Sequence, residues 1–154
     1  MPDTAASNPG ANLHARLYDT TQAHGGATSL HVAFAFDPGD YNRYGLVGFH
    51  LGVVDGDAVD LSGMDSLVLW AKGNGPVRVE LVAIDGGVQR VYAKTATPGA
   101  DWTRIVLRLT DFVSTTGGGA WAVASTRAVR VQFSVFQDSE FWMDDIRLFG
   151  KRLP

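Results

Sequence analysis

Apolar and polar residues alternate with a period of two along most of this chain, and glycine, proline and aspartate break the alternation at short intervals. Residues 30–36 put Leu30, Val32, Phe34 and Phe36 on one side of an extended backbone and His31, Ala33 and Ala35 on the other. The same reading predicts strands over 13–18, 45–53, 77–84, 88–94, 103–109, 128–136 and 141–149, with 66–71 apolar on both faces and therefore central. Asp37-Pro38-Gly39-Asp40, Gly73-Asn74-Gly75-Pro76 and Asp85-Gly86-Gly87 are turns between them, the last a hairpin signal. Most of the 18 glycines sit between the apolar runs, which suits many short strands. No window of about 11 residues or more repeats at the helical spacing. The expectation is an all-β sandwich, a jelly roll of two antiparallel sheets.

A length of 154 residues fits one domain with a core large enough to need no cross-link, and there is no cysteine to make one. That domain is expected over 12–150, after a flexible N-terminal segment (1–11) and before a short tail (151–154). The net charge is −3 and the 13 lysines and arginines form no block, which argues against nucleic acid and anionic membranes as partners. No apolar run reaches the roughly 18 residues of a membrane span. Met1-Pro2-Asp3-Thr4 has neither the basic start nor the apolar stretch of a leader, so the sequence reads as starting after a natural boundary.

Catalytic patterns are missing. The two glutamates, Glu80 and Glu140, lie on separate segments, and arginines near Glu80 and Asp85 favour keeping both ionised. No histidine spacing suits a metal, and no glycine-rich phosphate loop enters a helix. The chain is expected not to be an enzyme.

What alternation leaves on the polar side of four strands is more informative. His50 opposes Phe49 and Leu51, and Arg78 and Glu80 oppose Val77, Val79 and Leu81. Arg90, Tyr92 and Lys94 oppose Val91 and Ala93, while Arg130, Gln132, Ser134 and Phe136 oppose Val129, Val131, Phe133 and Val135. If these strands share a sheet, its outer face carries planar hydrogen-bonding groups and aromatic rings. That combination suits a pyranose, whose C–H face stacks on a ring and whose hydroxyl rim meets polar side chains. An ordinary solvated face is the alternative.

Residues 60–75 (DLSGMDSLVLWAKGNG), 101–107 (DWTRIVL) with Leu109 and Asp111-Phe112, and 141–150 (FWMDDIRLFG) occur in that order and spacing. Together they resemble bacterial jelly-roll carbohydrate-binding modules of family 11, with families 30 and 44 as neighbours. The likeness runs from about Leu13 to Gly150. The closing strand is also similar to that of a complex I assembly-factor domain, so it marks architecture better than ligand. Family 11 members usually open on an acidic-aromatic segment, whereas this chain has Asn12-Leu13-His14-Ala15-Arg16.

The resemblance implies a cleft on a concave sheet. Its tyrosine before the glycine of the third predicted strand falls on Tyr44, with Tyr41 three positions earlier, and an acidic residue falls near Asp85. The family's Arg-x-Asp-Tyr loop is replaced by Gly117-Gly118-Gly119-Ala120-Trp121, where Trp121 is either a stacking ring or a loop anchor in the core. A family tyrosine falls near Phe133 or Phe136, of which alternation makes Phe136 outward. Trp70, Trp102 and Trp142 read as core or edge packing, and Phe34, Phe36 and Phe49 as core. Such modules often hold a structural calcium ion, for which Asp19, Asp145 and the Gly25-Gly26 turn are the candidates; a hydrogen bond from Asp145 to a neighbouring loop is the alternative.

What the resemblance implies is a secreted, monomeric, non-catalytic module that binds β-glucan (β-1,4 or mixed-linkage, or xyloglucan) for a covalently linked glycoside hydrolase acting on plant cell walls. The competing reading is a protein-interaction or structural β-sandwich with no sugar ligand.

Overall fold

Among the described residues every strand pairing is antiparallel, and the pairings divide into two sheets. The computed structural model describes residues 4–7, 12–39, 43–52, 57–85, 87–115, 121 and 127–150, with the backbone alone for 4–7, 12–17 and 85. In chain order the strands are β1 (Thr4–Ser7), β2 (Asn12–Asp19), β3 (Ser29–Ala35), β4 (Gly45–His50), β5 (Val59–Asp60) and β6 (Met64–Asn74). Then come β7 (Val77–Asp85), β8 (Val88–Ala96), β9 (Thr103–Arg108), β10 (Val113–Ser114), β11 (Arg127–Val135) and β12 (Ser139–Gly150). One 3-10 turn, Leu109–Asp111, links β9 to β10.

The larger sheet has the order β1-β4-β11-β7-β8-β10, with β5 added to the end of β11; the smaller has the order β2-β3-β12-β6-β9. Both orders skip along the sequence, as a sandwich with crossing connections requires. The predicted long strands are all present, and β6 is flanked on both sides as its two apolar faces imply. Three short strands, β1, β5 and β10, were not predicted. Residues Thr4–Ser7, expected in a flexible segment outside the domain, instead pair with Gly45–Gly48 of β4.

The core lies between the inner faces. Phe133, Leu81 and Val79 from the larger sheet meet Phe141, Leu69 and Val32 from the smaller, and each is at most 2% exposed. Burying a side chain of this size contributes about 1.5–3 kcal/mol, so these residues fix the phase of each strand. At the start of β4 the Phe34 ring occupies the space of a side chain at Gly45, since a Cβ there would lie 2.2 Å from the ring. That close approach brings the preceding residue, Tyr44, to the rim of the larger sheet.

Candidate functional site

Residues directly opposite one another in an antiparallel pair point to the same face. On the larger sheet, three rows therefore face away from the core: Leu46–Ser134–Arg78–Thr95, Gly48–Gln132–Glu80–Ala93 and His50–Arg130–Val82–Val91. The expected outward residues of β4, β7 and β11 fall into these rows. A bulge between Ala128 and Arg130 sets the outward phase of β11.

β8 corrects the sequence reading. Its Tyr92 pairs with Leu81 and its Arg90 with Ala83, both on the core side, while Val91 and Ala93 face outward. Tyr92 is 5% exposed and belongs to the core. Trp121 is the core anchor rather than the ligand ring: it is 4% exposed, packs edge-on to Tyr92 at 5.0 Å between centroids, and donates its backbone N–H to the Phe112 carbonyl (2.7 Å). The physical reason is volume. These two rings pack together in the core, while Val91 and Ala93 take the outward side. Arg90 lies on the same side as Tyr92 and leaves the outward rows.

Glu80 organises the centre of the outer face. It is 1% exposed, and Arg78 Nε donates to its Oε1 at 2.5 Å. Ser134 Oγ donates to the same oxygen at 2.8 Å, while Gln132 Nε2 donates to Oε2. A carboxylate buried this deeply is tolerated because a cation and two neutral donors satisfy it. Glu80 thus holds Arg78 and Gln132 in place and is itself hidden from ligand. Ser134, a part of this network, did not stand out in the sequence beyond its place in the alternation of β11.

Two rings flank the network. Tyr44 and Phe136 lie 5.8 Å apart, and the Arg78 guanidinium carbon sits 4.3 Å from the centre of the Phe136 ring. Phe136 is 45% exposed, unusually open for a ring held on both sides. Burial raises the Tyr44 hydroxyl pKa above its ordinary value, and the negative charge of Glu80 adds to the effect. The structure thus brings together Tyr44, His50, Arg78, Glu80, Arg130, Gln132 and Phe136 on one face. Tyr41 lies outside the described residues, as does the side chain of Asp85.

The three tryptophans with an uncertain place take neither the core nor this face. Trp70 and Trp142 point outward from the smaller sheet, and both are partly buried by histidine rings. His24 stacks on Trp70 at 3.6 Å and His31 on Trp142 at 4.3 Å, while the Lys72 ammonium sits over Trp142 and Trp102 at 4.8 and 5.7 Å. Core or edge packing was the expectation, but Trp70 and Trp142 lie on the interior strands β6 and β12 and pack on the outer face of the smaller sheet, while Trp102 precedes the edge strand β9. Phe34 and Phe36 are core, and Phe49 packs partly buried against it.

The calcium candidates are already engaged. Asp19 Oδ1 accepts from the Thr21 hydroxyl (2.6 Å) and backbone N–H (2.8 Å), and its Oδ2 accepts from Trp142 Nε1 (2.9 Å). Asp145, in left-handed backbone at φ 51°, pairs with Arg147 at 2.7 Å. The neighbouring Asp144 caps the turn instead, accepting from the His24 and Gly25 amides at 3.0 and 3.4 Å. Among the described residues no three acidic or histidine side chains converge on one point. As these carboxylates stand, they do not fit a calcium ion shared by Asp19 and Asp145.

Asp19 leads to a pH prediction. The Thr21 hydroxyl, the Thr21 amide and Trp142 together lower its pKa from 3.8 to about 2. A depressed pKa means that its contribution to stability is present above about 3.8 and is lost as the pH falls towards 2. Thermal melts across that range should show a decline in the wild type that is shallower in Asp19→Asn. Parallel pH profiles for the two proteins would show that the carboxylate is not the group responsible.

No family model matches the chain, and no curated protein matches it. Solved structures do. A family 11 carbohydrate-binding module of the Clostridium thermocellum cellulosomal cellulase Lic26A-Cel5E superposes with a TM-score of 0.78 at 16% identity, covering 98% of this chain and 89% of that one. The chain has the fold of these modules. A family 11 module from the same organism, in complex with a β-1,3-1,4-mixed-linked tetrasaccharide, matches with a TM-score of 0.73 at 17% identity over 96% and 88% of the two chains. The family 30 module of the C. thermocellum cellulase Cel9D-Cel44B gives 0.66 at 14% identity over 96% and 90%. An exo-β-agarase also matches, with a TM-score of 0.61 at 14% identity, but this chain spans only 24% of it. Domains of this fold therefore occur within larger enzymes, cellulases and an agarase among them.

Proposed function

We propose that this chain is a non-catalytic carbohydrate-binding module that holds β-glucan chains on the outer face of its larger sheet. The observation that carries the reading is the pairing of an open aromatic ring, Phe136, with a desolvated polar network, Arg78–Glu80–Gln132–Ser134, flanked by Tyr44. A ring covers the C–H face of a pyranose, and polar groups fixed in advance meet its hydroxyls without a further ordering cost. A glycosidase reading finds no support on this face: Glu80 is committed to three donors, and the described residues place no second carboxylate beside it. The match to a mixed-linkage tetrasaccharide complex makes β-1,3-1,4-glucan the first ligand to try, with xyloglucan next. Delivery of a linked hydrolase to cell-wall polysaccharide outside the cell completes the proposal.

Affinity electrophoresis in gels containing barley β-glucan, xyloglucan, xylan, mannan or no polysaccharide tests it. Net gain per hydroxyl contact is only about 0.5–1.5 kcal/mol, so binding should be micromolar. Phe136→Ala removes an exposed ring and should weaken glucan binding about tenfold, roughly 1.4 kcal/mol, with the melting curve unchanged. Identical mobility in every gel would remove the sugar-binding reading and leave the protein-interaction alternative.

A further inference from the structure

The outer face of the larger sheet differs in charge from the protein as a whole. The chain carries a net −3, yet the described side chains in the three outward rows include two guanidiniums, Arg78 and Arg130, and one carboxylate, Glu80. Arg78 and Glu80 neutralise each other at 2.5 Å. The charge of Arg130 is left over. No carboxylate among the described residues forms an ion pair with it, and its Nε is buried without a hydrogen-bond partner. Of the guanidinium nitrogens only Nε is buried in this way, so the terminal nitrogens are the ones that can meet an anion, the partner that an uncompensated cation attracts.

A second unmet group lies beside it. Gln132 is 4% exposed, and while Glu80 takes its amide N–H, its Oε1 is buried with no donor. Arg130 and Gln132 alternate on one strand, so their side chains emerge about 7 Å apart on the same face. That spacing is comparable to the reach across one pyranose unit. Arg130 presents the charge, and Gln132 is buried in the floor beside it.

We infer that this face takes a glucan-type chain bearing carboxylates, with a uronic acid carboxylate at Arg130. The inference rests on the sugar-binding reading above and adds the charge of the ligand to it. A planar carboxylate matches the fork of a guanidinium better than a neutral hydroxyl does, and the bond is stronger for being charge-assisted.

Isothermal titration calorimetry compares barley β-glucan with the same polymer oxidised at C6 to carboxylates, using the whole chain. The oxidised polymer should bind about five- to tenfold more tightly at low salt, and the ratio should shrink as salt rises. Arg130→Gln should bring the ratio to about one, whereas Arg130→Lys, which keeps the charge, should retain part of it. Equal affinity for both polymers, or a preference that survives in Arg130→Gln, overturns the inference and leaves glucan binding standing. Equal gain from a C6-sulfated glucan also overturns it, because the attraction is then to charge without carboxylate geometry. If neither polymer binds, the sugar-binding reading falls as well. If a variant fails to fold, the comparison of oxidised with C6-sulfated glucan on the unaltered protein decides the matter.

Discussion

Glu80→Ala is expected to cost about 3–5 kcal/mol of folding stability and to abolish binding on the outer face. The loss comes less from the missing attraction than from what is left behind. Arg78, Gln132 and Ser134 all donate to the Glu80 carboxylate. Without it, the buried Gln132 amide and Ser134 hydroxyl lose their acceptor, and the Arg78 guanidinium, 34% exposed, loses its counter-charge. Urea denaturation measures the first effect and calorimetry with mixed-linkage glucan the second. A companion variant separates stability from function. Replacing Arg78, Glu80 and Gln132 together by Met, Met and Leu removes the charges and two of the three donors at once, and the Ser134 hydroxyl keeps the backbone carbonyl of position 78 as an acceptor. Replacement of a buried ionic group in this way is often neutral or stabilising. The triple variant should therefore recover much of the lost stability and none of the binding. If Glu80→Ala costs less than about 1 kcal/mol, the carboxylate is hydrated in solution and the network does not hold the site.

The long strands were legible because burial enforces a period of two: a strand such as 30–36 cannot slip by one residue without carrying Val32 and Phe34 into water. The short strands were not, since β5 and β10 span two residues each and owe their existence to a neighbour rather than to a pattern. The phase of β8 was in the sequence but was missed. Its segment alternates polar and apolar residues, and Val91 and Ala93 look like the buried set. The Gly86-Gly87 hairpin contains the answer, because a two-residue loop pairs Asp85 with Val88 and so forces Tyr92 opposite Leu81. With Leu81 in the core, Tyr92 must follow it. The polar network was half legible. Arg78, Glu80, Arg130 and Gln132 were visible as outward residues, but that Glu80 is buried beneath its partners depends on strands 7 and 11 lying side by side, a non-local pairing no local pattern reports. The resemblance pointed to Tyr44 and, with strand alternation, to Phe136, and the two rings lie 5.8 Å apart beside that network. It could not place the ring at Trp121, where glycines in the preceding loop leave its direction open.

Trp121→Ala decides between the two roles that the sequence left open for this residue. With the indole 4% exposed and set edge-on against Tyr92 at 84°, truncation should cost about 3–5 kcal/mol through lost burial and the cavity left behind. The folded fraction should still bind glucan with unchanged affinity, since nothing on the outer rows touches the ring. A double-mutant cycle with Tyr92→Leu should give a coupling of about 0.5–1.5 kcal/mol, the value of an aromatic pair beyond its area. A ring that stacked on sugar would behave in the opposite way, with stability within about 1 kcal/mol of the parent and binding lost. The two variants therefore make a matched pair. Phe136→Ala should lose ligand and keep the fold, whereas Trp121→Ala should lose fold and keep the site, and the contrast follows from which side of the larger sheet each ring occupies.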